Sequence, residues 1–296
     1  MPELPEVETI ARGLDKRVRG DVIESIWLGS KPEPLKSPAA EIARVVEHRR
    51  IAGVRRVGKH IVIDLESAGR VATPKAGPHQ KPTKATNAAH HPISERSAAQ
   101  WIVHLGMTGR MLVVPPDQEI EKHTHAIAKL ESGRELRFVD PRRFGRLSVA
   151  SKADFQAAGD EPLLVELEKF VKLFRGRKTP IKSALLNQTL LSGVGNIYAD
   201  EALFRAGIRP RRRAATLTRE QLRKLYLALQ EVLKEAIALG GSSVSDYVDA
   251  DGEEGFFQLQ HRVYGREGEP CLVCKTPIKR VVIAGRSSHY CPKCQK

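Results

Sequence analysis

Cysteine is scarce and unevenly placed: four residues in 296, all between positions 271 and 294. A secreted domain stapled by disulfides spreads its pairs along the chain, so that class is excluded. No uninterrupted apolar run approaches the roughly 18 residues that cross a bilayer. The opening MPELPEVETIARG is acidic where a secretory signal is basic. The expectation is a cytoplasmic protein that is neither exported nor inserted in a membrane. Acidic residues are also the minority, 35 against 49 Lys and Arg, a formal net charge of +14. Such an excess points first to a polyanionic partner, nucleic acid above all. Hydrophobic residues at 41% supply real cores, and the length suits about two compact domains.

Leu4, Val7, Ile10 and Leu14 recur at helical spacing, with Pro5 tolerated in the first turn, so a docked helix over 4–14 is expected. Strand-like stretches follow at 22–28, 60–66, 101–105, 110–114, 125–130, 135–139 and 146–149. Short strands with intervening turns argue a sandwich or barrel-like domain. Residues 69–100 interrupt them with four Pro, seven Ala and no aromatic residue, which reads as a loop inserted between two strands. Beyond 150 the period becomes helical. Thr179-Pro180 reads as an N-cap followed by a first-turn proline. Thr218-x-x-Gln221 reads as a capping box opening a helix that stops at Gly240-Gly241. The polar stretch 242–255 then leads into the cysteines.

Cys271-x2-Cys274 and Cys291-x2-Cys294 offer four thiolates, a full tetrahedral set for one Zn2+. Four protein ligands leave no open position, so the ion is expected to be structural, and zinc-catalysed hydrolysis is excluded on that geometry. The residues between the pairs read as a β-hairpin whose turn carries Arg286, a finger with a cationic tip.

PELPEVET at 2–9, HLGMTGR at 104–110, DPRRFG at 140–145, LLSGVGNIYADEALF at 190–204 and the terminal four-cysteine finger stand in one order along nearly the whole chain. Together they resemble the formamidopyrimidine-DNA glycosylases, bacterial repair enzymes for 8-oxoguanine. The resemblance implies an α+β multidomain chain. An N-terminal β-sandwich flanked by helices (1–150, with the insertion at 69–100) and a linker (151–165) would precede a helix-two-turn-helix domain with a lid loop (166–252). A zinc finger (253–296) would close the chain, with duplex DNA held in the cleft. It further implies a monomer acting on the bacterial nucleoid.

Removal of Met1 would leave Pro2 with a secondary amine at the chain's head. An α-amino group titrates near 7.7–8.0 and a lysine near 10.4, so the terminus is the better-populated neutral nucleophile at pH 7. Attack at the anomeric carbon of a damaged nucleotide would expel the base, and the resulting iminium keeps its charge as an electron sink for β- and δ-elimination. Glu3 is the adjacent proton donor and acceptor, and Glu6, a helical turn on, would orient the amine or its waters; the resemblance places both in the active site. A Pro-Glu helix start alone is ordinary. Lys59, at a loop end before a strand, would neutralise a phosphate.

Extruding a nucleotide leaves a hole in the stack. Met107 and Phe144, apolar among Gly and Arg, are the candidate wedges, although core packing is their commoner fate. Arg142 would satisfy the widowed cytosine, and Arg143 with His104 would hold phosphates. The start of a helix at Asn196 suggests a further phosphate seat, with Arg286 and Tyr264 completing the clamp. By resemblance alone, Lys182 would face the damaged base and Ser242, Val244 and Tyr247 would line the lid. The rivals are an endonuclease VIII-like glycosylase for oxidised pyrimidines and a non-catalytic zinc-finger DNA-binding protein.

Overall fold

In the computed structural model of the chain, residues 1–68, 97–152, 154–243 and 255–296 are described. Helix α1 (Leu4–Val18) runs one turn further than its sequence pattern, with Val18 joining Leu4, Val7, Ile10, Ala11 and Leu14 on the buried face. Its start is a reciprocal capping box between Glu3 and Glu6, with proline in the first turn, so both glutamates satisfy backbone amides that a helix end otherwise leaves orphaned.

Strand β1 (Val22–Leu28) and helix α2 (Ala39–Val46) lead to β2 (Arg49–Val57), β3 (His60–Ser67), β4 (Ser97–His104), β5 (Arg110–Val114), β6 (Thr124–Leu130), β7 (Glu135–Val139) and β8 (Arg146–Ala150). They form one antiparallel sheet in the order β5-β7-β6-β1-β2-β3-β4-β8. Helix α1 touches the neighbouring β2 and β3 and also β5, at the far edge of that order, so the sheet curls round it. Ile63 and Trp101 from one half and Met111 and Phe138 from the other share a single core. Truncating a wholly buried member such as Leu14 to Ala costs about 2–5 kcal/mol.

Two sequence expectations are corrected here. The insertion was bounded at 69–100, but residues 97–100 open β4, pairing Asp64 with Gln100 across from β3. The Gln100 amide donates to the Asp64 carboxylate at 2.7 Å, a partner that composition does not reveal; residues 69–96 lie outside the described residues. Strand β2 was not foreseen, because RRIAGVRRV buries only Ile51 and Val54 and does not alternate.

Helices α3 (Leu167–Phe174), α4 (Ile181–Leu185), α5 (Asn196–Arg205) and α6 (Arg219–Ala238) build the second layer. The capping box of α6 is present, with Thr218 Oγ1 accepting from Gln221 N at 3.2 Å and Gln221 Oε1 from Thr218 N at 3.0 Å. Gly240 and Gly241, at φ 75° and 86°, stop the helix. The cap of α4 is Pro180 and not Thr179; the Thr179 carbonyl instead accepts from Ala214 N at 3.0 Å. Leu4 of α1 is packed in this helical core, not in that of the sheet.

The C-terminal hairpin, β9 (Lys279–Ile283) and β10 (Arg286–Tyr290), turns through Ala284 and Gly285, both at positive φ. Paired left-handed residues match the twist of two strands joined by a two-residue loop.

Candidate active site and nucleic-acid interface

The chain's head is fastened to residues almost two hundred positions away. Leu4 N donates to Gly193 O at 3.0 Å, and the Glu3 carboxylate accepts from Ile197 N at 3.1 Å and from Tyr198 N at 3.5 Å, at the start of α5. Gly195 caps α5, and a Cβ there would collide with the Glu3 carboxyl carbon. That position therefore requires glycine for space. Glu3 is nearly inaccessible, and burial pushes its carboxyl up to about 7, against the pull of the nearby Lys59 ammonium and with a push from Glu6. Glu6 is likewise raised by burial. It accepts from the Tyr198 hydroxyl, from Ser242 N at 2.8 Å and from Glu3 N at 2.8 Å, so its place is set from three directions.

Above this pair opens a cleft of about 380 Å³, lined by Met1, Glu3, Lys59, His104, Met107, Asn196, Tyr264 and Arg286 among others. Residues from both domains and the finger thus meet at one wall. Pro2 is buried, whereas Met1 before it is half-exposed. Lys59 sits in the turn joining β2 to β3, where burial lowers its ammonium, Glu3 raises it and Arg286 lowers it further. Arg56 braces that turn: its guanidinium donates to Gly58 O at 3.1 Å, Glu8 at 2.7 Å and Glu161 at 2.8 Å. A larger cavity of about 1110 Å³ lies behind this brace, but Arg12, Arg55 and Arg56 in its wall are already ion-paired.

His104 was expected, with Arg143, to hold phosphates. Burial, with His60 and Lys59 nearby, lowers its pKa to about 4, so the ring is neutral at pH 7. Its Nδ1 accepts from Gly106 N at 3.1 Å, which leaves the proton on Nε2 as a neutral donor.

Met107 and Phe144 are exposed, at 39% and 48%, on loops that touch backbone to backbone: a Cβ on Gly106 would meet the Phe144 carbonyl carbon at 2.5 Å. Asp140 ties the loops together, accepting from Thr108 Oγ1 at 2.6 Å, Arg142 N at 3.2 Å and Gly145 N at 2.7 Å. Asp140 and Thr108 escaped sequence reading because their work is done out of sight of any periodicity; the DPRRFG and HLGMTGR segments carried the only signal. Arg142 lies over the Phe144 ring, 4.8 Å from its centroid. Arg143 turns elsewhere, through φ 55°, to pair with the exposed Glu33 at 3.3 Å.

The α5 start was expected to seat a phosphate on its amides. Two of them are committed to Glu3, and the Asn196 amide donates to Ser287 Oγ at 3.2 Å. Lys182 was expected to face the damaged base. It is instead 1% exposed, its Nζ bonded at 2.6 Å to both Asp200 and the Ser287 carbonyl, a strut between α4, α5 and the finger. Asp200 also accepts from His289 N at 2.9 Å. Its neighbour Glu201 accepts from Arg262, Val263 and Tyr264 N at 2.9–3.0 Å. Consecutive acids on α5 thus bolt both edges of the finger in place. Tyr264 stands between His261 and His289, with centroids 5.5 and 5.2 Å away. The Ser242 hydroxyl lies 3.1 Å from His261 Nε2; Val244 and Tyr247 fall outside the described residues.

The ligand-capable sulfurs of Cys271, Cys274, Cys291 and Cys294 all lie within 4.8 Å of one another. Observed separations of 3.9 and 3.4 Å match the roughly 3.8 Å edge of a tetrahedron with Zn–S bonds of about 2.3 Å. The donor set fits one structural Zn2+, which when bound joins the two knuckles beneath the hairpin.

A sheet domain, a helical domain and a four-cysteine finger meet over a buried glutamate at the chain's head. Three family models match in succession: the formamidopyrimidine-DNA glycosylase N-terminal domain over residues 1–147, its H2TH domain over 159–248, and the zinc finger found in FPG and IleRS over 268–296. The chain is 44% identical to the formamidopyrimidine-DNA glycosylase of Solibacter usitatus and 42% to that of Thermus thermophilus, covering all of this chain and 100% and 98% of theirs. The crystal structure of the Thermus thermophilus MutM (Fpg) protein superposes with a TM-score of 0.80 at 40% identity, over 99% of this chain and 98% of that one. A Lactococcus lactis Fpg mutant bound to Fapy-dG-containing DNA superposes at 0.83 and 30% identity over the whole of both chains. The chain belongs to the formamidopyrimidine-DNA glycosylase family.

Proposed function

We propose that this glycosylase excises oxidised purines, 8-oxoguanine and formamidopyrimidines, from duplex DNA through a Schiff base at Pro2 and then cleaves the strand by β,δ-elimination. The observation that carries this reading is the convergence of the chain's head, Glu3 and Lys59 at one cleft floor. Once Met1 is removed, the Pro2 nitrogen attacks the anomeric carbon as the bond to the damaged base breaks. A carboxyl poised near 7 is substantially protonated at neutral pH, so Glu3 can give its proton to the sugar ring oxygen and later take protons back. The secondary amine leaves a cationic iminium that acidifies the adjacent sugar carbon. Loss of that proton expels the 3′ phosphate, and a second elimination expels the 5′ phosphate. Lys59, held by the Arg56 brace, neutralises a phosphate beside the reacting sugar. Met107 and Phe144 fill the vacated stack, Arg142 faces the unpaired cytosine, and Tyr264 and Arg286 hold the backbone. The acting unit is proposed to be a monomer.

Reductive trapping on an 8-oxoguanine duplex, followed by intact mass and N-terminal sequencing, tests the reading. The expected adduct lies on Pro2 with Met1 absent. Loss of trapping in Pro2→Gly with lesion binding intact supports it. An adduct on a lysine, or none at any lesion, overturns it in favour of other chemistry or a pure binder. Preference for thymine glycol over 8-oxoguanine moves the substrate to oxidised pyrimidines.

A further inference from the structure

We propose that the exposed cations Arg177, Lys178, Arg211, Arg213 and Arg280 form a second phosphate-binding surface, which grips the duplex arm beyond the lesion. The inference rests on the DNA reading above. Residues 177–181 and 212–215 are laced into one surface by Ala215 N to Arg177 O at 2.7 Å, Ala214 N to Thr179 O at 3.0 Å and Ile181 N to Arg212 O at 2.7 Å. Arg211 extends it to the finger, donating to Val282 O at 3.4 Å. Val282 and Arg280 share one face of β9, since alternate strand residues point the same way. Opposite them on β10 are Ser287 and His289, which contact Asn196 and Asp200 of α5. The hairpin face that docks on α5 through β10 therefore continues, uncovered, across β9 to Arg211.

All five side chains are exposed, and none has an acidic partner within ion-pair distance among the described residues. The buried guanidiniums of Arg56, Arg137 and Arg205 are by contrast ion-paired, with Glu8 and Glu161, with Glu135 and with Glu235. Uncompensated like charges repel one another until a polyanion covers them. Guanidinium groups present two parallel donors to a phosphate. On that same face Ser287 touches Asn196, which lines the lesion cleft, so a duplex seated there has its continuing backbone, one charge per 3.4 Å of each strand, beside this surface. Continuity with that cleft favours a DNA arm over an acidic protein.

The test measures binding and excision on 8-oxoguanine duplexes with arms of about 5 or about 20 base pairs; a 5-base-pair arm ends about 17 Å from the lesion. The wild-type protein is compared with the triple variant Lys178→Glu, Arg211→Glu, Arg213→Glu. On long arms, affinity of the variant should fall about tenfold and its log–log salt slope should become shallower by about 3. On short arms both proteins should agree within about twofold. The corresponding triple glutamine variant, matched to wild type in melting temperature, should show a weaker form of the same length dependence. Equal losses at both lengths would assign these cations to the cleft or the fold, and no loss at either would make them solubilising charge. Both outcomes overturn the proposal. Wild-type protein that excises nothing at any arm length instead removes the underlying DNA repair reading.

Discussion

Around α1, Ile10, Leu14, Ile63, Trp101 and Phe138 belong to an apolar core that wraps the helix on several sides, whereas among the described residues the finger's cluster is small, with Phe204, Val263 and Ile278 joining Cys271 and Cys291. Burial at about 25 cal/mol per Å² of apolar surface can hold the sheet domain on its own. So few side chains cannot hold a finger, which instead leans on its metal and on the acids of α5. The two regions therefore fail in different ways.

Metal removal is the largest test of that contrast. Structural zinc in isolated fingers is worth about 10–16 kcal/mol, so chelation should unfold residues 263–296 and weaken lesion binding by more than about a hundredfold. The main thermal transition, belonging to the sheet and helical cores, should stay in place by calorimetry; a common shift would erase the distinction. Next is Asp200→Ala, which strands Lys182 without its counter-charge. Breaking one half of a buried pair costs about 3–5 kcal/mol, and the apolar pair Lys182→Met with Asp200→Leu should recover most of it.

Glu3 supplies a pH signature from the sheet domain's side. Its folded pKa, about 7, lies above the usual 4.5, so the native state holds a proton that the unfolded chain has released between those values. Stability contributed by that proton is present below pH 4.5 and is lost as pH rises to about 7, amounting to about 3 kcal/mol. Denaturant midpoints of wild type and Glu3→Gln should diverge in favour of the variant across this window, and parallel curves would show Glu3 to be unperturbed. The smallest effect is reserved for Arg143→Ala. Its pair with Glu33 is 43% and 50% exposed, so stability should change by less than about 1 kcal/mol.

Most of the framework was legible because it is written locally. Cysteine spacing, the Thr218 box, the Leu4–Val7–Ile10–Leu14 stripe and six or seven short apolar strands each need only a few neighbouring residues. That Met107, Phe144 and Arg286 are exposed could be anticipated for the same reason, from apolar or cationic side chains at glycine-bearing turns. What stayed hidden depends on partners far along the chain. Lys182 becomes a strut only because Asp200 and the Ser287 carbonyl are brought to it, and the α5 amides are occupied only because Glu3 arrives from 194 residues upstream. Strand β2 escaped for a related reason: its arginines face Asp64, Glu8 and Glu161 rather than water alone, so polarity no longer marks an outer face.

Helix α1 serves two cores at once, Leu4 in the helical one and Val7 onward in that of the sheet. On the ribosome, the segment around Glu3 emerges long before residues 193–198, whose amides and carbonyl will hold it. A nascent chain released early, even with every strand of the sheet already made, would carry its acid group and amine with no seat for either. In such a fragment Glu3 would have no seat, so its site is assembled only once the start of α5 has been made.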